Sequence, residues 1–162
     1  MRKIGCFLFT LVSGVLSFYA GANMICKKMT QGYKKIEKSE KRLLGYYDIL
    51  VKWMDIIHKN KSLEQYFLQE GIRKIAIYGM GELGVQLLLE LKDSSIEVKY
   101  AIDQNTENII EGIKVYKPED TLDKVDAVIV TPIFAFDAIK EIMENKTSCR
   151  ILSLEDVVYG IN

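Results

Sequence analysis

A glycine-rich turn between a strand pattern and a helix pattern constrains the fold of this chain more than any other feature. Residues 72–78 (IRKIAIY) are rich in isoleucine and predict a buried strand. Residues 79–84 follow at once and read Gly-Met-Gly-Glu-Leu-Gly, which is the spacing G-x-G-x-x-G. Residues 85–92 then carry leucines on one side of a helix. A glycine turn in this context predicts the first strand and helix of a parallel α/β unit.

Each glycine in this turn has its own physical reason in a dinucleotide-binding unit. Gly79 allows a tight turn, Gly81 lets a pyrophosphate approach the backbone, and Gly84 lets the helix pack closely on the strand. The N–H groups at the start of the helix add an anion site. Asp103 ends the next strand pattern, 19 residues after Gly84, where a carboxylate can accept hydrogen bonds from ribose hydroxyls. A carboxylate there repels a 2′-phosphate and so favours NAD over NADP. The alternative is a tight turn that binds nothing.

Strand and helix patterns alternate through the rest of the chain. A capping box at residues 62–65 predicts a short helix that Gly71 ends. The later elements are expected at Glu97–Ile102 (strand), Gly112–Tyr116 (strand), Pro118–Leu122 (helix), Ala127–Val130 (strand), Phe134–Asn145 (helix) and Arg150–Leu154 (strand). We therefore predict a doubly wound parallel sheet of about five strands.

Ligands of such sheets lie beyond the carboxyl ends of the strands, and three predicted turns meet at that edge. The predicted cofactor-binding residues are Gly79, Met80, Gly81, Glu82, Leu83, Gly84, Asp103, Gln104, Asn105, Thr131 and Pro132. Glu82 is a mild cost to an anionic ligand unless it points outward as an acidic residue of the first helical turn. The expected cofactor is NAD or a nucleotide-sugar.

The N-terminal segment has the pattern of a membrane anchor. Ile4–Cys26 contains 23 consecutive residues without a charge, enough for a helix of about 34 Å that crosses a hydrocarbon core of about 30 Å. The larger cluster of lysines follows this segment, which predicts that the rest of the chain lies in the cytoplasm. A cleaved signal peptide is the alternative, because Ala20–Ala22 has the small-x-small pattern of a cleavage site.

Residues 27–61 form the second predicted segment, a basic amphipathic helix or stalk. This segment carries ten basic and four acidic residues. Ile36, Leu43, Leu50 and Ile57 are seven residues apart, and Glu40, Tyr47 and Met54 lie at the intermediate heptad positions. Three interpretations remain open: a stalk that forms a homodimer, a helix packed on the following domain, and a basic helix against anionic lipid.

The overall charge of the chain hides a strong division. The formal net charge is zero, which argues against a nucleic-acid partner. Residues 62–162, the predicted nucleotide-binding domain, carry 10 basic and 18 acidic residues, while residues 1–61 carry the compensating positive charge. The basic part thus lies where anionic lipid is expected. Three cysteines without a CxxC pair argue against a disulfide framework and a zinc ribbon, and suit a cytoplasmic chain.

The stretches KIAIYGMGELGVQLLLELK, VKYAIDQN, GIKVYKPED and DAVIVTP resemble a small Rossmann-like domain of bacterial polysaccharide biosynthesis proteins. They are similar to the membrane-proximal domain of sugar-nucleotide 4,6-dehydratases and to the N-terminal domain of sugar acetyltransferases. The resemblance covers roughly residues 72–156. It implies a nucleotide or nucleotide-sugar ligand at residues 79–84 and Asp103, and glycan-assembly enzymes as partners.

No catalytic group is recognisable in the sequence. Dehydratases and epimerases of this kind need a Tyr-x-x-x-Lys pair, and no tyrosine here has a lysine four residues later. G-x-S-x-G and metal-ligand spacings are also missing from the sequence. We therefore expect a membrane-anchored binding module in surface-polysaccharide biosynthesis. The alternatives are an NAD-dependent oxidoreductase or epimerase component completed by a partner chain, and a scaffold without a ligand.

Overall fold

The computed structural model describes the backbone of residues 2–106 and 112–161, and the side chains of residues 19, 21–106 and 112–161. The chain forms two compact units, Met1–Tyr46 and Tyr47–Asn162. Helix α1 spans Arg2–His58, and its described side chains in the first unit are mostly exposed. Because part of α1 belongs to the second unit, that unit begins before the sequence-based domain boundary at residue 62.

The predicted membrane span falls mainly outside the fully described residues. Within the part of the chain that the structure describes, no helix combines the length and the apolar character that crossing a bilayer requires. Ile4–Cys26 includes residues 4–18 and residue 20, whose side chains lie outside that part. The anchor therefore stays a prediction.

The second unit contains the parallel five-stranded sheet that the sequence predicts. Its strands are β1 (Lys74–Tyr78), β2 (Glu97–Ile102), β3 (Val115–Tyr116), β4 (Ala127–Val130) and β5 (Arg150–Ser153), in the spatial order β3-β2-β1-β4-β5. All four pairings are parallel. The helices are α2 (Leu63–Gln69), α3 (Glu82–Leu91), a 3₁₀ turn at Ile133–Ala135, α4 (Phe136–Glu144) and α5 (Leu154–Tyr159).

Helices cover both faces of this sheet. Ala76 and Tyr78 of β1 belong to a buried cluster that includes Ile139 and Met143 of α4. Ile77 points to the opposite face, since side chains alternate along a strand, and there it lies against Gly84 of α3. The result is an α/β domain in which four consecutive residues of β4 are fully buried, as expected for a central parallel strand.

The last turns of α1 pack on this domain through one face. Ile49, Trp53 and Ile56 are at most 4% exposed. The indole N–H of Trp53 donates to one carboxylate oxygen of Glu90 in α3, and the other oxygen accepts the N–H of Leu63 at 2.9 Å. One carboxylate thereby joins α1, α2 and α3. The heptad positions identified from the sequence lie on a different, exposed face.

Several local predictions differ from the structure. The strand predicted at Gly112–Tyr116 forms only at Val115–Tyr116. Pro118–Leu122 forms no helix. The Asp120 N–H donates to the carbonyl oxygen of Lys117 at 3.0 Å, and the Asp120 carboxylate accepts the N–H of Lys117 at 2.8 Å, so the segment is a single turn. Helix α5 was missed, although Ser153 caps it by accepting the N–H of Glu155 at 3.2 Å. The sequence Ser-Leu-Glu-Asp at 153–156 matches a helix-start pattern and could have indicated it.

Candidate functional site

The ends of three adjacent strands define the candidate site. β1 lies between β2 and β4, and the register aligns Tyr78 with Ile102 on one side and with Val130 on the other. Gly79, Asp103 and Thr131 each follow directly after these residues. The chain builds β2 and β3 to one side of β1 before it crosses to β4, so the strand order reverses between β1 and β4. Such a reversal opens a crevice in which α/β proteins bind ligands.

Gly79 and Gly84 are required by the fold itself. Gly79 has φ +93°, and a Cβ atom there would lie 2.6 Å from two ring carbons of Pro132. A Cβ atom on Gly84 would lie 2.1 Å from the carbonyl oxygen of Gly79. These are the tight turn and the close helix–strand contact that the sequence predicts.

Gly81 differs, because nothing in the described structure requires a glycine there. Its φ of −73° and ψ of −166° are accessible to any residue. A Cβ atom at this position would have no neighbour within 4 Å. Gly81 is also the N-cap of α3, and no side chain caps that helix start. The backbone at the start of α3 therefore faces open space of the kind that an anionic group needs.

Asp103 joins the end of β2 to the glycine turn. One carboxylate oxygen accepts the N–H of Met80 at 2.6 Å, and the other accepts the N–H of Asn105 at 2.9 Å. The sequence predicted a contact with ribose and missed this bond to the turn. A carboxylate has about four acceptor directions, so two hydrogen bonds leave capacity for a ligand hydroxyl. Asp103 is partly exposed and can be reached from the crevice.

Thr131 and Pro132 form the wall of the site on the β4 side. The Thr131 hydroxyl donates to the carbonyl oxygen of Gly79 at 2.7 Å, and its N–H donates to the carbonyl oxygen of Tyr78 at 3.0 Å. Because its only hydroxyl proton is used in this way and Thr131 is 4% exposed, we assign it a bracing role.

The other predicted residues divide by exposure. Met80 and Leu83 are 4% and 6% exposed, so they can meet a ligand only through their backbone. Glu82, Gln104 and Asn105 are exposed. Glu82 is the acidic residue of the first turn of α3, where it suits the helix dipole.

Sequence reasoning missed Tyr78, whose phenol interacts with the charge of Asp103. Tyr78 is buried, and this burial raises the pKa of its phenol above the ordinary value. The negative charges of Asp103 and Glu119 raise that pKa further. Tyr78 therefore stays neutral. A carboxylate at Asp103 disfavours ligands with an extra phosphate on the ribose.

A groove lies at the other edge of the sheet. Its volume is about 810 Å³, and it is lined mainly by the end of α3 and the start of β2, from Leu88 to Val98. None of the predicted site residues lines it. Because ligands of parallel sheets bind at the carboxyl edge, we place the candidate site at Gly81 and Asp103.

Metal chemistry finds no support at the described positions. Among the residues that the structure describes, no three His, Cys, Asp or Glu side chains are grouped closely enough to hold a metal ion.

Comparisons with protein-family models, with curated proteins and with solved structures gave no match to this chain.

Proposed function

We propose that this chain is a membrane-anchored module that binds a nucleotide or nucleotide-sugar and acts in surface-polysaccharide biosynthesis. Residues 79–84 hold the phosphates, and Asp103 holds the ribose. Ile4–Cys26 is the single-pass anchor, the basic residues that follow contact anionic lipid, and the acidic domain lies in the cytoplasm.

The observation that carries the binding proposal is the open space at Gly81. The fold explains Gly79 and Gly84 by close contacts, but it leaves Gly81 without a neighbour for a Cβ atom. A pyrophosphate lying against the backbone at the start of α3 would need this position to lack a side chain. Packing in the described structure therefore does not require a glycine at position 81, whereas a bound pyrophosphate would.

Asp103 is positioned to accept a hydrogen bond from a ribose in the same crevice. Its carboxylate lies beside the glycine turn through the bond to Met80 and has acceptor capacity left. A carboxylate at this position favours NAD or a nucleotide-sugar over NADP. The setting in polysaccharide assembly rests on the resemblance of residues 72–156.

A scaffold without a ligand is the second candidate. The observation in its favour is the same bond between Asp103 and Met80, because it satisfies one N–H group of the turn without any ligand. If the turn is a ligand site, a nucleotide should bind to it. If Asp103 only completes the hydrogen bonds of the turn, no nucleotide should bind.

A ligand panel separates these proposals. The full chain in detergent micelles is heated with NAD, NADP, UDP-sugars or CoA, and its melting temperature is recorded. A ligand that binds the folded state raises the melting temperature. When its concentration is 100 times its dissociation constant, the free energy of unfolding increases by about 2.7 kcal/mol. We expect a rise with NAD or a UDP-sugar and none with NADP. No rise with any compound would leave the scaffold, and redox turnover or epimerisation by the chain alone would replace the binding module with an enzyme.

Topology has a separate test. A reporter enzyme fused to the C-terminal end of the chain, active only in the periplasm, should stay silent if the domain is cytoplasmic. Activity of that reporter would refute the proposed orientation, and release of the protein from washed membranes would refute the anchor.

A further inference from the structure

The last turns of α1 expose an apolar face that the domain does not use. Its members in the second unit are Tyr47, Leu50, Val51, Met54 and Ile57, which we call the outer face of α1. They are between 38% and 63% exposed. Large apolar side chains this exposed, on consecutive turns of one helix, mark an interaction surface.

The helix cannot turn this face inward without losing its existing contacts. The opposite side of the same turns buries Ile49, Trp53 and Ile56. The hydrogen bond between Trp53 and Glu90 fixes the rotation of the helix, because Glu90 is itself held by the N–H of Leu63. The outer face is therefore a permanent feature of the folded unit.

A groove runs beside the outer face and gives it a shape that a second helix can fill. Its volume is about 380 Å³, and it is lined by Leu50, Trp53, Met54 and Ile57 of α1 and by Gln86, Leu89 and Glu90 of α3. Leu89 is 56% exposed. Ridges of side chains beside such a groove are the arrangement in which the knobs of one helix enter the holes of another.

The seven-residue spacing of the outer face matches that of a second, identical helix packed against it. Leu50 and Ile57 are seven residues apart, as are Tyr47 and Met54. Apolar residues with an average spacing of 3.5 match two helices that pack along a shared seam.

The charges beside the outer face also suit a second copy. Asp48, Lys52 and Asp55 alternate in sign along these turns, so two identical surfaces do not repel each other. The basic residues that would favour an anionic lipid surface lie earlier, mainly between residues 27 and 42. The outer face is thus apolar and nearly neutral, which favours protein over lipid.

The exposed area is close to what a stable dimer needs. The outer face and Leu89 together expose on the order of 600 Å², the upper end of apolar patches on monomers. A standard interface takes about 800 Å² from each partner. Two such faces together would bury about 1,200 Å², the lower end of the standard range.

We propose that the outer face of α1 binds the same face of a second copy of this chain, which makes the protein a homodimer. The contact is isologous, so each outer face contributes the same residues. This inference does not depend on the proposed ligand.

The test is the mass of the full chain in density-matched detergent, measured by sedimentation equilibrium at micromolar concentration. We expect the mass of two chains for the wild type. Met54→Glu places a carboxylate in the contact and should give one chain, with dimerisation weakened at least about 100-fold because a buried charge is left unpaired. Lys124→Glu is the control, since it makes the same change of charge at an exposed residue outside α1, and it should leave the dimer intact.

Trp53 is the only tryptophan, so its fluorescence reports whether each variant keeps the helix packed on the domain. Tyr47→Glu repeats the test at a side chain that is 63% exposed and does not line the groove. A wild-type chain that sediments as a monomer would overturn the proposal. So would a dimer that survives both glutamate variants, because its contact would then lie on another face.

Discussion

The glycine turn and the last turns of α1 each contain residues that the packing of the domain does not explain. The two regions differ in the chemistry of those residues. At the turn, contacts explain Gly79 and Gly84, while Gly81 faces open space beside backbone N–H groups and a carboxylate. On α1, contacts explain Ile49 and Trp53, while the outer face presents apolar side chains. Open space beside polar backbone suits a small anionic ligand, whereas an apolar ridge and groove suit another protein surface.

The largest expected effect separates the glycines of the turn. Gly84→Ala forces a methyl group into the backbone of Gly79, so we expect a loss of about 3 kcal/mol or more, or no folded protein. Gly81→Ala should stay within about 1 kcal/mol of the wild type, because reduced unfolded-state entropy and a poorer N-cap oppose each other. Chemical denaturation followed by Trp53 fluorescence measures both. Equal losses at the two positions would contradict the division between fold and ligand glycines.

The two faces of α1 should differ nearly as much. Trp53→Ala removes a buried ring and leaves Glu90 without one of its partners, so we expect a loss of about 3 kcal/mol. Met54→Ala should change the stability of the single chain by less than about 0.5 kcal/mol, because its side chain is 56% exposed. Denaturation at a dilution where the chain is monomeric compares them. A similar loss for both variants would show that the outer face already packs on the domain.

Much of this architecture follows from local sequence patterns. β2 and β4 have the predicted bounds, because continuous apolar or alternating runs are read directly as strands. The glycine turn and Asp103 were also predicted to meet, since both follow neighbouring parallel strands.

Other features depend on contacts that a pattern does not contain. The sequence of α1 holds two apolar stripes, and heptad spacing alone cannot tell which one packs on the domain. The bond from Asp103 to Met80 depends on how the turn is folded. Pro118–Leu122 forms a single turn because the segment is too short to nucleate a helix, and Asp120 bonds back to Lys117 within it.

Asp103 and Asp126 allow a matched comparison. Each accepts two backbone N–H groups, Asp103 at the carboxyl edge of the sheet and Asp126 at the opposite edge. Asp126 accepts the N–H groups of Arg73 and Lys74 at 2.9 and 2.8 Å, and these bonds hold the pKa of its carboxyl below the ordinary 3.8. A lowered folded-state pKa stabilises the protein above about pH 3.8, and this contribution is lost as the pH falls through the lower folded value.

Asp126→Asn should therefore cost about 1 kcal/mol or less at pH 7 and nothing in strong acid, as denaturation at a series of pH values would show. Its ligand affinity should equal that of the wild type. Asp103→Asn, which changes the matching carboxylate at the candidate site, should lower ligand affinity. A loss of affinity in both variants would point to general destabilisation instead of a role for Asp103 in binding.

The smallest expected effect concerns Glu82. Its exposed carboxylate lies in the first turn of α3, near the proposed phosphates. Glu82→Gln removes a repulsive charge and should strengthen binding of NAD or a UDP-sugar about two- to fivefold, corresponding to a surface charge effect of 0.3–1 kcal/mol. The gain should shrink at high salt. Weaker binding would mean that Glu82 itself contacts the ligand.

The most direct measurement is a calorimetric titration of the full chain and of Gly81→Val with the ligand that the panel identifies. The open space at Gly81 predicts that the valine variant keeps the melting temperature of the unliganded wild type to within a few degrees. The same variant should lose binding by at least about 100-fold, because the side chain fills the space of the pyrophosphate. Undiminished binding by a folded Gly81→Val protein would contradict the claim that this turn holds a nucleotide.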